Sequence, residues 1–296
     1  MSQYQRLLLI INPALRQSPA IQQAGALAGA SGASLHIVGL IKSLGILSLL
    51  EGDDWASARA SYLQEQDLWL QAQAHQLRVS GVEVTAYTTW SEDVRSDILQ
   101  HVSELQPDLL IKQVQQEPLL KRTFFTPMDW YLLRYCPVPT YLVGDQAQAL
   151  PRKIVAAIDS ANDQPQNQKL NERILKQAER LALQCDAELH LVTACDITAD
   201  FLGDLGAAGL ALSDLTRQLR QDLENAFLNT AEHFGVAPEH RHFIKGDPVQ
   251  VLAEFAHQNQ VDVLVLGRNQ SRGLEKLIGS TTEHLLYQAS CSVLAV

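Results

Sequence analysis

The stretch VDVLVLGRNQSRGLEKLIGSTTEHLL, residues 261–286, decides how this chain folds. It begins with a short apolar run without strict alternation, continues through a loop with three glycines, and ends in a helical pattern. Such a run followed by a helix is typical of a buried strand in a parallel sheet. The stretch therefore predicts an α/β fold, and loops of this kind are where α/β folds hold phosphates.

The chain of 296 residues contains two copies of one sequence unit. A shift of 154 residues aligns the copies without gaps over a long distance. The aligned pairs include residues 33–40 with 187–194, Asp93 with Asp247, and Asp108 with Asp262. The apolar pattern stops within residues 144–153, where a proline precedes a new strand. We therefore predict two domains, residues 1–147 and 148–296.

Each copy repeats one order of short apolar runs separated by segments of helical length. This order predicts an open, five-stranded, doubly wound, Rossmann-like parallel sheet with helices on both faces. In the second copy the predicted strands are residues 154–158, 188–193, 241–244, 261–266 and 292–296, and the predicted helices are residues 171–184, 212–234, 248–258 and 281–288. Asp247 is a natural N-cap for the third helix, and Pro248 fits its first position. The polar stretch 160–169 is predicted to be a loop.

The carboxyl ends of the strands in a parallel sheet meet at one edge, because the crossovers are right-handed. Asp159 follows the first strand of the second copy, and Gly267 follows the fourth. We therefore expect both residues to face one crevice.

The last helix of the second copy begins at Ser280, and Glu283 three residues later completes the spacing of a capping box. The N–H groups and the positive end of this helix could take a phosphate, with Gly279 allowing close approach and Ser280 or Thr281 donating from a hydroxyl. The same pattern also describes a well-capped structural helix. Both interpretations stay open at this point.

The glycine loop has the spacing Gly267, two residues, Gln270, eight residues, Gly279 and Ser280, with Gly273 in between. It resembles the loop of the universal stress proteins, whose nucleotide-binding members carry Gly, two residues, Gly, nine residues, Gly and then Ser or Thr. The resemblance covers both halves and looks like the tandem type of Gram-negative bacteria. It implies a ribose and phosphate site with an acidic residue near the adenosine. The site residues would be Asp159, Gly267, Gly273, Gly279, Ser280 and Thr281.

Two departures separate this chain from the nucleotide-binding members. Gln270 replaces the second glycine and the loop is one residue shorter, which resembles the family branch that does not bind ATP. In the first copy the pattern is nearly lost, because Asn12 replaces the acidic residue and Lys112 and Gln113 replace the strand-ending glycine position. Only a helix start at Thr126 remains there.

The resemblance implies a non-enzymatic protein of the stress response, acting as a binding or adaptor module. Its second domain would hold ATP or another adenine nucleotide. A slow ATPase is one alternative. A carrier of an apolar or lipid-like ligand is another, motivated by Gly- and Leu-rich stretches at residues 44–50 and 201–212. Because motifs such as GxSxG, HExxH and Walker A are absent, no catalytic residue is assigned.

Composition and charge argue against several other classes. With 23 Lys+Arg and 33 Asp+Glu, the net charge of −10 is unsuited to broad nucleic-acid binding. The longest apolar run near the start covers only residues 7–11, so neither a membrane span nor a signal peptide is expected, and we predict a cytoplasmic protein. The four cysteines form no CxxC pair and are expected to be buried thiols.

Five of the nine histidines stand out by their positions in the sequence. His36 and His190 occupy equivalent strand positions and are predicted to be structural, with a role in the crevice as the alternative. His233, His240 and His242 lie close in sequence, but without a Cys or carboxylate at ligand spacing no metal site is predicted.

The two copies are expected to pack as an internal pseudo-dimer through residues 140–143 and 293–296, and a homodimer is a further option.

Overall fold

The structure is a computed structural model of the chain. It describes residues 3–14, 16, 19–42, 53–114, 128–145, 148–161, 164–196, 211–268 and 280–296. The chain divides into two compact units, Met1–Leu150 and Pro151–Val296. Within the described ranges, each unit contains one five-stranded parallel sheet and four α-helices.

The first unit winds in two directions from its first strand. Its elements are β1 (Arg6–Ile11), α1 (Pro19–Ser31), β2 (Ser34–Lys42), α2 (Asp53–Val79), β3 (Val84–Ser91), α3 (Val94–Leu105), β4 (Leu109–Gln113), α4 (Met128–Tyr135) and β5 (Thr140–Val143). The strand order is β3-β2-β1-β4-β5, and every neighbouring pair in it is parallel. In the centre, Leu7 pairs with Leu35 on one side and Leu109 on the other.

The second unit repeats this topology. Its elements are β6 (Lys153–Ala157), α5 (Pro165–Cys185), β7 (Glu188–Cys195), α6 (Ala211–His233), a 3-10 turn (Pro238–His240), β8 (Arg241–Lys245), α7 (Pro248–Gln258), β9 (Val263–Leu266), α8 (Ser280–Gln288) and β10 (Ser292–Ala295). The strand order is β8-β7-β6-β9-β10, again with parallel pairs. The predicted fold class, two tandem doubly wound α/β domains, is confirmed.

The central strands are buried along most of their length, which explains their nearly continuous apolar sequences. All four residues of β9 are buried, and so are Ile154, Val155 and Ala156 of β6. A parallel strand covered by helices on both faces has no solvent-facing side, so alternation with polar residues is not required. Within the described residues, no helix combines the length and apolar character needed to cross a bilayer.

An aspartate that recurs at the same place in both copies ties two strand beginnings together. Asp262 Oδ2 accepts hydrogen bonds from the backbone N–H groups of Arg152, at 2.7 Å, and Lys153, at 2.9 Å. In the first unit, Asp108 Oδ2 accepts in the same way from the N–H groups of Gln5 and Arg6. The carboxylate therefore fixes the start of the first strand of each unit against the start of the fourth.

The helix starts agree with the sequence in one place and differ in another. Asp247 caps α7, since its Oδ1 accepts from Gln250 N–H at 3.0 Å and Pro248 follows. The prediction that residues 160–169 form a loop is wrong from residue 165 onward, because α5 begins at Pro165 rather than at 171. Proline suits the first helical position, and the side-chain amides of Asn167 and Asn171 both donate to the Asp159 carbonyl at 2.7 Å. Polar composition alone did not separate this helical turn from a loop.

The four cysteines are free and buried, as predicted. Burial raises the pKa of Cys185 and of Cys291 to about 12. Because the thiolate is the nucleophile, both thiols are inert at neutral pH while the chain is folded.

Cysteine alkylation tests this packing. We expect iodoacetamide at pH 8 to leave Cys185 and Cys291 unmodified in the native protein, and to modify all four cysteines once guanidinium chloride unfolds the chain. Mass spectrometry of peptides after timed quenching measures the extent at each site. Rapid native labelling of Cys291 would contradict the buried position described for it.

Candidate functional site

The candidate crevice lies at the carboxyl ends of β6 and β9. These strands are neighbours, with Ile154 paired to Val263 and Ala156 to Val265. Asp159 therefore follows one strand and Gly267 the adjacent one, at the same edge of the sheet.

Asp159 is exposed, and its backbone is held by α5. Its N–H donates to Asn171 Oδ1 at 3.2 Å, and its carbonyl accepts from the amides of Asn167 and Asn171. Its carboxylate Oδ1 accepts from Ala161 N–H at 3.0 Å, which closes an Asx turn. The carboxylate thus has a defined position at the mouth of the crevice.

Gly267 is required by packing. A Cβ placed on this residue would lie 2.8 Å from Leu170 Cδ2 and 3.0 Å from Ile174 Cδ1, both on α5. The glycine therefore allows α5 to cross directly over the end of β9. The packing of α5 against β9 therefore explains why this position is a glycine, whether or not a ligand binds nearby.

A threonine that the sequence analysis did not single out joins the two ends of the glycine loop. Thr282, in the first turn of α8, donates from Oγ1 to the Gly267 carbonyl at 2.8 Å. Arg268, which follows Gly267, is buried and donates its N–H to the carbonyl of Val296 at 2.8 Å. The start of α8 is thereby held next to the end of β9. The only sequence signal for Thr282 was a hydroxyl in the first turn of a helix.

The remaining predicted site residues are described in part or not at all. Gly273 and Gly279 lie outside the described residues, as does Gln270. Ser280 opens α8, but its side chain also lies outside the described set, and Thr281 is half-buried in the same turn. Residues 44–50 and 201–210, which motivated the carrier alternative, are likewise outside it.

The equivalent crevice of the first unit contains an ion pair. Lys112, the fourth residue of β4, donates from Nζ to Asp129 Oδ1 at 2.8 Å and to the Gln113 carbonyl at 2.9 Å. Both charged side chains are buried, and Asp129 lies in the first turn of α4. A carboxylate of the chain itself therefore sits at the positive end of this helix. The predicted helix start at Thr126 lies outside the described residues.

The acidic residue of the crevice has a neutral counterpart in the first unit. Asn12, at a shift of 147 residues from Asp159, accepts with Oδ1 from Ala14 N–H at 3.1 Å. This bond matches the turn that Asp159 makes with Ala161. The two units therefore share the turn and differ in its charge.

His36 and His190 lie away from both crevices. Each is the third residue of its strand, β2 or β7, and so lies near the amino end of the sheet. His36 Nδ1 is 2.7 Å from Thr85 Oγ1, and burial lowers the pKa of both histidines. The alternative that placed them in the crevice is wrong, because strand direction puts them at the opposite edge.

Both halves of the chain match one family model, described as the universal stress protein family, at residues 3–144 and 151–296. The chain belongs to the universal stress protein family. It contains two family domains in tandem, as the resemblance of its loop and strands had implied.

The chain aligns over nearly the whole length of two relatives. Universal stress protein E of Photorhabdus laumondii is 27% identical over 305 residues, covering 100% of this chain and 96% of that protein. Universal stress protein E of Escherichia coli K12 is 28% identical, covering 100% and 95%. Among solved structures, a functionally unknown protein of Pseudomonas aeruginosa PAO1 superposes with a TM-score of 0.72 at 23% identity, covering 99% of this chain and 92% of that one. This last similarity concerns the fold alone.

The packing role of Gly267 in this universal stress protein is testable. We expect Gly267→Ala to lower the free energy of unfolding by about 1–3 kcal/mol, because the added methyl group overpacks the contact with Leu170. Chemical denaturation followed by circular dichroism measures the change. Leu170→Ala should cost less in the Gly267→Ala background than in the wild type, since the methyl group then fills vacated space. Strict additivity of the two changes would contradict the close contact.

The buried ion pair of the first unit gives a second test. We expect Lys112→Met to lower the free energy of unfolding by about 3–5 kcal/mol, because it leaves the Asp129 carboxylate buried without its cation. The control is Lys176→Met, which removes an exposed pair with Glu172 and should cost no more than about 0.5 kcal/mol. Equal effects of the two substitutions would show that burial does not strengthen the first pair. Adding Asp129→Leu to Lys112→Met should restore most of the lost stability.

Proposed function

We propose that this protein is a non-enzymatic binding or adaptor protein of the stress response, whose second unit holds an adenine nucleotide. The nucleotide would lie at the edge of the sheet between Asp159 and the start of α8. The first unit would hold none and serve as a structural partner.

The asymmetry between the two helix starts carries this proposal. The first N–H groups of a helix lack partners inside the helix and attract an anion. In the first unit Asp129 already supplies a buried carboxylate there, with Lys112 to balance its charge. In the second unit Glu283 stands at the position of Asp129, in the first turn of α8, but the strand residue at the position of Lys112 is the apolar Leu266. The strand β9 therefore supplies no lysine to hold this carboxylate inside the crevice, and we assign that place to the phosphates of a ligand.

The position of Asp159 supports an adenosine in the same crevice. An exposed carboxylate held by a fixed turn is suited to accept hydrogen bonds from sugar hydroxyls. The hydrogen bond from Thr282 to the Gly267 carbonyl keeps the start of α8 at the end of β9, the strand next to the one that Asp159 follows. We assign the phosphate side of the proposed site to Gly273, Gly279 and the hydroxyls of Ser280 and Thr281, as the resemblance of the loop implies.

The chemistry of the described side chains near Asp159 favours binding without catalysis. Burial, together with the carboxylates of Asp159 and Asp196, raises the pKa of Cys195, so its thiol is a poor nucleophile at neutral pH. The Ser160 hydroxyl lies 3.2 Å from Thr193 Oγ1, a hydroxyl that cannot act as a general base at neutral pH. Among the described residues, neither the Cys195 thiol nor the Ser160 hydroxyl is hydrogen-bonded to a base of the kind that activates a nucleophile in hydrolases.

Nucleotide titration tests the proposed site. Isothermal calorimetry and thermal unfolding with ATP, ADP and AMP, each with Mg²⁺, should give one site per chain and a rise in melting temperature. We expect Asp159→Asn to weaken binding roughly 10- to 100-fold, because a charged acceptor is lost. This substitution keeps the turn, since Asn12 makes the same turn in the first unit.

The matched control is Asn12→Asp, which restores the acidic residue in the unit that holds the ion pair. It should leave the stoichiometry at one nucleotide per chain. The proposal fails if millimolar ATP produces neither heat nor a thermal shift, and the location fails if Asp159→Asn binds as tightly as the wild type. Native mass spectrometry that instead finds a co-purified apolar molecule would favour the carrier alternative.

A further inference from the structure

Four side chains that bind metals in other proteins meet at the amino end of the second sheet. His190 on β7 lies between Glu188, on the same strand, and His240 and His242, at the start of β8. Its Nε2 is 3.4 Å from Glu188 Oε2, its Nδ1 is 3.0 Å from His242 Nε2, and its ring centroid is 4.1 Å from that of His240. One ligand atom from each of Glu188, His190 and His240 lies within 4.8 Å of the others.

The position of this histidine cluster separates it from the nucleotide crevice. Glu188 is the first residue of β7, and His240 immediately precedes the first residue of β8. Asp159 and Gly267 follow the last residues of β6 and β9, at the other edge of the same parallel sheet. A ligand of the cluster and a ligand of the crevice would therefore not compete for the same groups.

We propose that Glu188, His190 and His240 form a binding site for a divalent transition-metal ion, with Zn²⁺ the best match. Two imidazoles and one carboxylate are a common three-ligand set for zinc, and such a set leaves the fourth tetrahedral position to water. Glu188 is exposed and His240 half-buried, so an ion can reach the site from solvent.

The ring of His190 is already oriented for this role. A histidine bound to a metal commonly donates its other ring N–H to a neighbouring acceptor, which fixes the tautomer. In the tautomer of His190 that is protonated at Nδ1, the 3.0 Å contact with His242 Nε2 is such a bond, and Nε2, 3.4 Å from Glu188 Oε2, is then available to an ion. His242 is thus a positioning residue, itself packed against Phe255 at 4.7 Å between ring centroids.

The first unit shows that the fold does not require these residues. The pairing of β2 with β3 and of β7 with β8 gives the equivalent positions: Ser34 for Glu188, His36 for His190, Thr85 for His240 and Tyr87 for His242. In β3 this register differs by one residue from the shift of 154 residues. There the single histidine is satisfied by the Thr85 hydroxyl at 2.7 Å. Gathering three imidazoles and a carboxylate at one place is therefore a property of the second unit, and not of the topology.

Zinc titration of the full chain tests the site. After treatment with EDTA and its removal, ZnCl₂ is titrated in competition with a chromogenic chelator, and Co²⁺ serves as a second probe through its visible absorption bands. We expect one site per chain for both ions, with the intense bands of tetrahedral Co²⁺. Mg²⁺ should not compete, because it prefers oxygen ligands in an octahedral arrangement.

Substitutions taken from the first unit keep the fold while removing ligands. Glu188→Ser and His240→Thr should each weaken Zn²⁺ binding at least tenfold, and His242→Tyr should weaken it roughly 10- to 100-fold by releasing the His190 ring. Glu239→Gln, which changes an exposed carboxylate next to His240, is the matched control and should leave the affinity unchanged. Glu188→Gln is a second ligand variant that alters only an exposed side chain.

Two results would overturn the proposal. One is a wild-type protein that binds Zn²⁺ no more tightly than the variant with both Glu188→Ser and His240→Thr. The other is stoichiometric binding that survives Glu188→Gln and His240→Thr, which would place the ion at other histidines of the chain. Circular dichroism of each variant confirms that a lost affinity does not reflect lost folding.

Discussion

The carboxylate of Asp262 sets the register from which the second unit is built. By accepting from two consecutive N–H groups at the start of β6, it aligns that strand with β9. Parallel pairing carries this alignment to the other edge, where it determines which residues emerge side by side. Asp159 and Gly267 are neighbours there because of a contact made at the opposite end of the same strands. Asp108 performs the same task in the first unit.

The sequence predicted the features that depend on local pattern and on repetition. Apolar runs predicted the strands, and the constant shift between the two copies predicted the duplicated topology. The pair Asp247–Pro248 predicted the start of α7. The sequence did not predict the start of α5 because the first turn of this helix is polar. The amides of Asn167 and Asn171 that stabilise it donate to the carbonyl of Asp159, which lies outside the helix. The reason for Gly267 was hidden as well, since Leu170 approaches it from a separate helix.

The histidine cluster shows a further limit of reasoning from spacing. Glu188 and His190 precede His240 by about fifty residues, and only the pairing of β7 with β8 brings them together. Within their own stretch of sequence, His233, His240 and His242 have no Cys or carboxylate at ligand spacing. His233 instead packs on Phe234 and takes no part in the cluster. Once β7 and β8 are paired, Glu188 and His190 come next to His240.

The Lys112–Asp129 pair has a consequence for how the two halves respond to their surroundings. A carboxylate that belongs to the chain is a tethered anion, and dilution cannot remove it from the end of α4. The first half therefore has this anion in place at every concentration of free ligand. A site that binds a free ligand instead gains stability as the logarithm of the ligand concentration. With the proposed nucleotide, the molecule would join a half that carries its own anion to a half whose stability follows the concentration of the nucleotide in the cell.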